Sequence, residues 1–269
     1  MFVVPRKTLI NIKLFKMKLK LVYLVLSVFS IQIVCSQELK KEYQKGIIYF
    51  IDCVKNNKKE AVAAVVKYPF KRDYPIPPIN NKAEFVKRYD EVFDTALKTK
   101  IIKSNPATDW SQVGWRGIML DRGDIWIDEN GRLISITHQS KFEEDLKKKL
   151  ISKDKKTLHP SLAVFKEPNY ILLTSKFKIR IDDLGNDKYR YASWSPKQKM
   201  SEKPDLVITN GKFFADGTGG NHYYDFKKGN YLYRCYIIVL GQSDSPDATL
   251  EVSQNGKEIV SQAAKIIVE

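Results

Sequence analysis

Residues able to do chemistry are sparse in this chain of 269, which holds three histidines, at 138, 159 and 222. None of them has a partner at the spacing a zinc site needs, such as His-Glu-x-x-His. There is no Gly-x-Ser-x-Gly elbow to expose a nucleophilic serine and no Gly-Lys-Ser/Thr loop to cradle a nucleotide phosphate. The motifs that would carry metal, cofactor or covalent chemistry are absent, and no cofactor, metal or catalytic residue is expected.

What remains is a set of contact candidates. Asp216-Gly217-Thr218-Gly219-Gly220-Asn221 has unusual backbone freedom, so its N–H groups could converge on an anion, or the run is simply a tight β connection. His222 and Tyr223 follow it, and Asp216, Thr218, Asn221, His222 and Tyr223 form the first candidate binding set. A second set lies earlier, where Asp124 and His138 sit on strand pieces that a hairpin brings together, with Trp115 and Trp126 nearby. It reads either as a pocket or as an interior plugged by Trp115, Met119 and Trp126. Aromatics interleaved with cations, Tyr189-Arg190-Tyr191 and Tyr231–Tyr236 around Arg234, suit a sugar or a protein face.

The elements that must position these residues change character along the chain. Ile47, Ile48, Phe50, Ile51 and Val54 mark a helix, Asn56-Asn57 breaks it, and Lys58 to Lys67 forms a second. Prolines 69, 75, 77 and 78 predict an extended crossing from Tyr68 to Ile79. Asn81 with Glu84 caps a third helix running through Phe85, Tyr89, Val92, Phe93 and Leu97. From Trp110 onward short apolar runs alternate with glycines, and Asp128-Glu129-Asn130-Gly131 supplies a hairpin. Phe142 to Leu150 is a short helix, and the charged stretch beyond it reads as a linker over 152–168.

The rest, 169–269, is a series of short β runs separated by turns such as Asn210-Gly211 and Asn255-Gly256. Separate strands are expected at Ile259 to Ser261 and Lys265 to Val268. The expectation is an all-β sandwich or barrel.

Tyr68-Pro69-Phe70 after the helix pair, Asn81 to Tyr89, Gly117-Ile118-Met119-Leu120 and Gly123-Asp124-Ile125-Trp126-Ile127 resemble the cystatin-like roll of the nuclear transport factor 2 (NTF2-like) superfamily. That resemblance implies an α+β fold over 37–151, helices packed on a small curved antiparallel sheet that forms a cone. It implies no particular activity, because the superfamily hosts enzymes and binders alike. Gly219-Gly220-Asn221-His222-Tyr223-Tyr224 and the strand through Cys235 loosely resemble the small β-barrels of periplasmic lysozyme inhibitors. The inhibitory Ser-Gly-x-Arg-Tyr pattern is replaced here by Gly220-Asn221-His222-Tyr223, so the likeness extends to architecture alone.

Residues 1–36 are laid out as a secretory signal whose start is Met1 or Met17: Lys18 and Lys20, the apolar run Leu21 to Val34, then Val34-Cys35-Ser36 as cleavage site. Removing it takes six of the 46 cationic side chains and none of the 31 acidic ones, so the remainder is still basic by nine charges. Basic charge favours anionic surfaces, although lysine runs such as Lys147-Lys148-Lys149 are also ordinary solvated faces. No nucleic-acid module is present, and no stable membrane insertion is expected after cleavage. Cys53 and Cys235 are candidates for one disulfide or for two buried free thiols, and spacing leaves both open.

Taken together these features predict a periplasmic or secreted bacterial envelope protein that acts by binding or inhibition without evident catalysis, its partner an envelope protein or a glycan. The alternative is an enzyme or small-molecule carrier using the cone pocket of the first domain.

Overall fold

The computed structural model describes residues 39–242 and 244–268. The expected signal segment lies outside the described residues. The described chain is α+β: helices with a four-stranded antiparallel sheet, followed by a closed eight-stranded antiparallel barrel.

Helix α1 (Lys41–Lys55) buries Ile47, Phe50, Cys53 and Val54 along one stripe. Ile48 points to solvent instead of joining that face. Asn57 then takes a positive φ of 51°, which ends the turn before α2 (Lys59–Ala64). The extended crossing expected from Tyr68 to Ile79 is corrected. Phe70 and Ile79 exchange both backbone hydrogen bonds, at 2.7 and 2.9 Å, so the proline-rich segment turns back on itself and buries both side chains. The prolines lack N–H donors, but the two apolar ends of the segment keep theirs.

Helix α3 (Lys82–Val92) starts where expected, with the Asn81 side chain accepting from Glu84 N at 3.0 Å. It does not run on to Leu97. Asp94 accepts from Leu97 N at 2.8 Å and opens a separate helix, α4 (Thr95–Lys103). Strands β1 (Trp110–Gln112), β2 (Ile118–Leu120), β3 (Ile125–Ile127) and β4 (Leu133–Ile136) then form a meander in chain order. Their alternation turns Ile118, Leu120, Ile125 and Ile127 onto a core of Phe50, Phe70, Phe85, Tyr89 and Phe93. Asp128 closes the β3–β4 hairpin by accepting from Asn130 N and Arg132 N, with Gly131 at φ 77°.

The helix expected to stop at Leu150 continues, as α5 (Lys141–Thr157). Its last turns are not a linker, because Asp154 faces inward and accepts from both terminal nitrogens of Arg180, at 3.2 and 2.6 Å. Leu158, Leu162 and Phe165 beyond it pack with Ala192 and Trp194 in a small core of their own.

The barrel contains β5 (Glu167–Leu173), β6 (Lys178–Gly185), β7 (Lys188–Trp194), β8 (Leu206–Ala215), β9 (His222–Lys228), β10 (Tyr231–Ile237), β11 (Ala248–Gln254) and β12 (Lys257–Ile267). Each strand pairs with the next, and Lys265, Ile266 and Ile267 of β12 close the ring on Leu173, Leu172 and Ile171 of β5. A barrel, not a sandwich, is therefore formed. Asn210-Gly211 is no hairpin turn but an irregularity within β8, where Asn210 takes φ 66° and the register slips. Residues before it pair with β7 and residues after it with β9. Glycine is required there, since a Cβ at 211 would overlap the Phe226 ring.

The two strands expected after Ile259 are one, β12, which pairs first with β11 and then with β5. Ile179, Ile181, Tyr191, Phe226 and Leu250 belong to the barrel core, as eight strands allow.

No disulfide joins Cys53 to Cys235. Both are free and buried, one in the helical core and the other in the barrel core.

Candidate functional site

The loop from Asp216 to Asn221 joins β8 to β9 and is closed by its own ends, Asp216 N donating to Asn221 O at 2.8 Å. Gly217 and Gly220 take φ of 71° and 89°, which side-chain-bearing residues rarely adopt. Asn221 is fully engaged: its Oδ1 accepts from Val239 N and Leu240 N at 2.9 and 2.8 Å, and its Nδ2 donates to Leu240 O at 3.0 Å. Asn221 thus clamps the loop to the segment after β10. Asp216 and Thr218 are exposed. The Asp216 carboxylate accepts from the Tyr236 hydroxyl, and this bond, helped by partial burial, raises the Tyr236 phenol above its usual pKa.

His222 lies on the inner side of the strand, among the rings of Tyr170, Phe213 and Tyr224. Its Nδ1 is 2.7 Å from the Gly220 carbonyl, an acceptor, so Nδ1 carries the proton. Its Nε2 then accepts from the Tyr170 hydroxyl at 3.2 Å. With both ring nitrogens taken, His222 anchors the loop to the barrel mouth.

Tyr223 is on the outer side. It stacks between Phe214 (5.0 Å, 17°) and Tyr236 (6.1 Å, 12°), forming a three-ring ladder across β8, β9 and β10. The Arg234 guanidinium carbon lies 4.1 Å from the Tyr223 ring centre, and Asp225 holds that guanidinium by two bonds of 2.8 Å. Donating to the Asp225 carboxylate raises the Arg234 pKa further. Since the rings face one another, the ladder presents edges outward.

The second candidate set does not converge. Asp124 pairs with Lys100, His138 Nε2 lies 3.0 Å from Asp94, and Trp126 packs beside Gly123. Burial works against ionisation of Asp94, but the backbone N–H of Leu97 and the His138 ring outweigh it and hold the carboxyl below its usual pKa. Trp115 is not in an interior at all; it sits on a 3-10 turn (Gly114–Arg116), 73% exposed. The residue after it, Arg116, donates from Nη1 to Thr218 O at 3.0 Å, so this turn touches the 216–221 loop.

That contact gathers side chains which sequence reasoning did not group. Trp115, Phe213 (44% exposed), Phe214 (39%) and Val239 (56%) are large apolar groups on, or next to, the loops at this end of the barrel. Gly114 and Gly117 flanking Trp115 were the available signal, since both take positive φ in the turn that carries it.

Two concave sites lie elsewhere. An open groove of about 560 Å³ runs over the β5–β12 seam by Thr174, Ser175, Pro246, Ala263 and Lys265. A smaller cleft of about 190 Å³ lies between Tyr74, Lys153, Thr157, Ile171 and Met200. Among the described residues no group of three His, Cys, Asp or Glu side chains is arranged to hold a metal ion. Comparison with protein-family models, with curated proteins and with solved structures finds no match, so the reading of this surface rests on its own residues.

Proposed function

We propose that the protein is an exported envelope protein that works by binding another protein, through the end of the barrel that carries the 216–221 loop. The observation that supports this most is Trp115, a tryptophan 73% exposed on a turn bonded to that loop. Exposed tryptophan and tyrosine beside arginine are the side chains that concentrate interface energy when desolvated. A glycan has less support, because stacking covers both faces of Tyr223 and one face each of Phe214 and Tyr236. In this reading Asn221 and His222 shape the surface, while Trp115, Phe214 and Val239 touch the partner.

The helix-and-sheet half is read as a cone of the NTF2-like kind, supported by the order of its helices and its four-stranded meander. Ligand carriage or catalysis inside it has less support, because Asp124 and His138 are each engaged by another side chain.

The test is a photo-crosslinking residue in place of Trp115, compared with one in place of the exposed Lys87, in cells producing the protein. A discrete protein adduct at position 115 and none at 87 is expected. Absence of an adduct, or the same adducts at both positions, would remove this surface.

A further inference from the structure

Outside that surface, the most uneven feature of the molecule is the distribution of charge along α5. In its first half every lysine has a counter-charge: Lys141 pairs with Asp145 at 2.9 Å, Lys148 with the same carboxylate at 3.8 Å, and Lys147 with Asp73 and Glu167 at 2.7 Å each. This is how a solvated helix face is normally built. The second half is different. Its one acid, Asp154, is turned inward to Arg180, and Lys149, Lys153 and Lys156 stay exposed with no ion pair among the described residues.

The helix dipole accounts for lysines in the last turn, but Lys149 and Lys153 lie before it. With 3.6 residues per turn, Phe142, Lys149, Lys153 and Lys156 fall within an arc of about 60°. Phe142 is 52% exposed on that arc.

The connection between β7 and β8 extends the same cationic surface. His159 N, just past the end of α5, donates to Met200 O at 3.0 Å, and Met200 lines one cleft with Lys153 and Thr157. Around Met200 stand Lys197, Lys199 and Lys203, all exposed and also without an ion pair among the described residues. Glu202 is the acid among them, and its carboxylate accepts from Lys199 N at 3.0 Å.

We propose that this lysine face docks the protein onto membranes rich in anionic phospholipid. Six ammonium groups on flexible stems, with no arginine fork among them, suit a field of phosphate headgroups better than one oriented ligand. The exposed Phe142 supplies an apolar side chain for the headgroup boundary. No helix of the described residues is long and apolar enough to cross a membrane.

The experiment is flotation of the protein, as its host produces it, with vesicles of phosphatidylglycerol and phosphatidylcholine or of phosphatidylcholine alone. Binding is expected with the anionic vesicles at about 0.01 M salt and is lost at about 1 M, where charges act over only about 3 Å. K149E/K153E/K156E is expected to weaken it at least about 100-fold. At about 0.1 M salt, where charges act over about 10 Å, K82E/K87E/K103E, an equal charge change on α3 and α4, is expected to leave binding within about threefold of the parent. Matching far-UV circular dichroism checks that each variant folds. Equal loss in the two triple variants, equal flotation with both vesicle types, or no flotation with anionic vesicles would overturn the proposal. So would displacement by about 10 mM inorganic phosphate, which would mark a small-anion site in the cleft instead.

Discussion

Asp182 receives two hydrogen bonds from Arg190, from Nε at 3.1 Å and from Nη2 at 2.6 Å, and all of its carboxylate is buried. Its other oxygen accepts from Arg180 Nε at 2.7 Å, so one acid holds two buried guanidiniums that also pack on the Phe165 ring. Removing the acid leaves both cations without their shared partner. Asp182→Ala is expected to cost about 3–5 kcal/mol, measured as a fall in the urea midpoint. Replacing Asp182, Arg180 and Arg190 together with Asp154, the second carboxylate on Arg180, by apolar residues of similar volume is expected to recover part of that loss.

Asp94 caps α4 and faces His138, and its carboxyl is held below its ordinary value. A depressed folded pKa contributes stability that is complete above the unfolded value, near 3.9, and is lost as pH falls through the folded one. Asp94→Ala is expected to cost about 1–2 kcal/mol at neutral pH, through the cap. The gap between parent and variant should narrow below about pH 4, as read from denaturation curves taken at several pH values.

Gly211 lies against Phe226 where β8 passes from one neighbour to the other. Gly211→Ala is expected to destabilise by about 1–3 kcal/mol, through overpacking. Combining it with Phe226→Leu should return part of the loss. Failure of that rescue, judged by melting temperatures, would mean that the backbone and not the ring sets the requirement.

Cys53 and Cys235 are free and buried, and burial pushes the Cys235 thiol well above its usual pKa. Neither is expected to react with a thiol reagent in the native protein, and both should react after denaturation without prior reduction. Mass spectrometry of the alkylated peptides checks this.

Of the four tryptophans, Trp110 and Trp194 are buried and Trp115 is the exposed one. Trp115→Ala is expected to change stability by less than about 0.5 kcal/mol while removing most of the acrylamide-quenchable fluorescence.

The strands of the barrel and the cap at Asn81 were legible because alternation and capping are local properties of the chain. What failed to be legible was long-range. Asp94 reads as one more polar residue of a helix until Leu97 N is seen to need a partner. Asn210-Gly211 carries the dipeptide signature of a hairpin, and only the closing of the sheet makes it an irregularity inside one strand. Lys153 to Lys156 read as linker because Arg180, which draws Asp154 inward, is 26 residues away.

The candidate site suffered the same way. Asn221 and His222 stood out by type, yet their partners, the chain at Val239–Leu240 and Tyr170, turn them into structural anchors. Trp115 stood out as apolar, a type expected inside, whereas it lies exposed on a 3-10 turn.

Helix α5 is held near both ends through acids on one face, by one guanidinium from the helical half and one from the barrel: Arg72 grips Glu143 at 2.6 and 2.5 Å, and Arg180 grips Asp154 three turns later. Exchanging the helix for a flexible spacer would take Ile151 from the small core around Trp194 and leave two desolvated guanidiniums each short of a carboxylate. The helical half and the barrel should accordingly melt in a single calorimetric transition, as parts of one cooperative body and not as beads on a string.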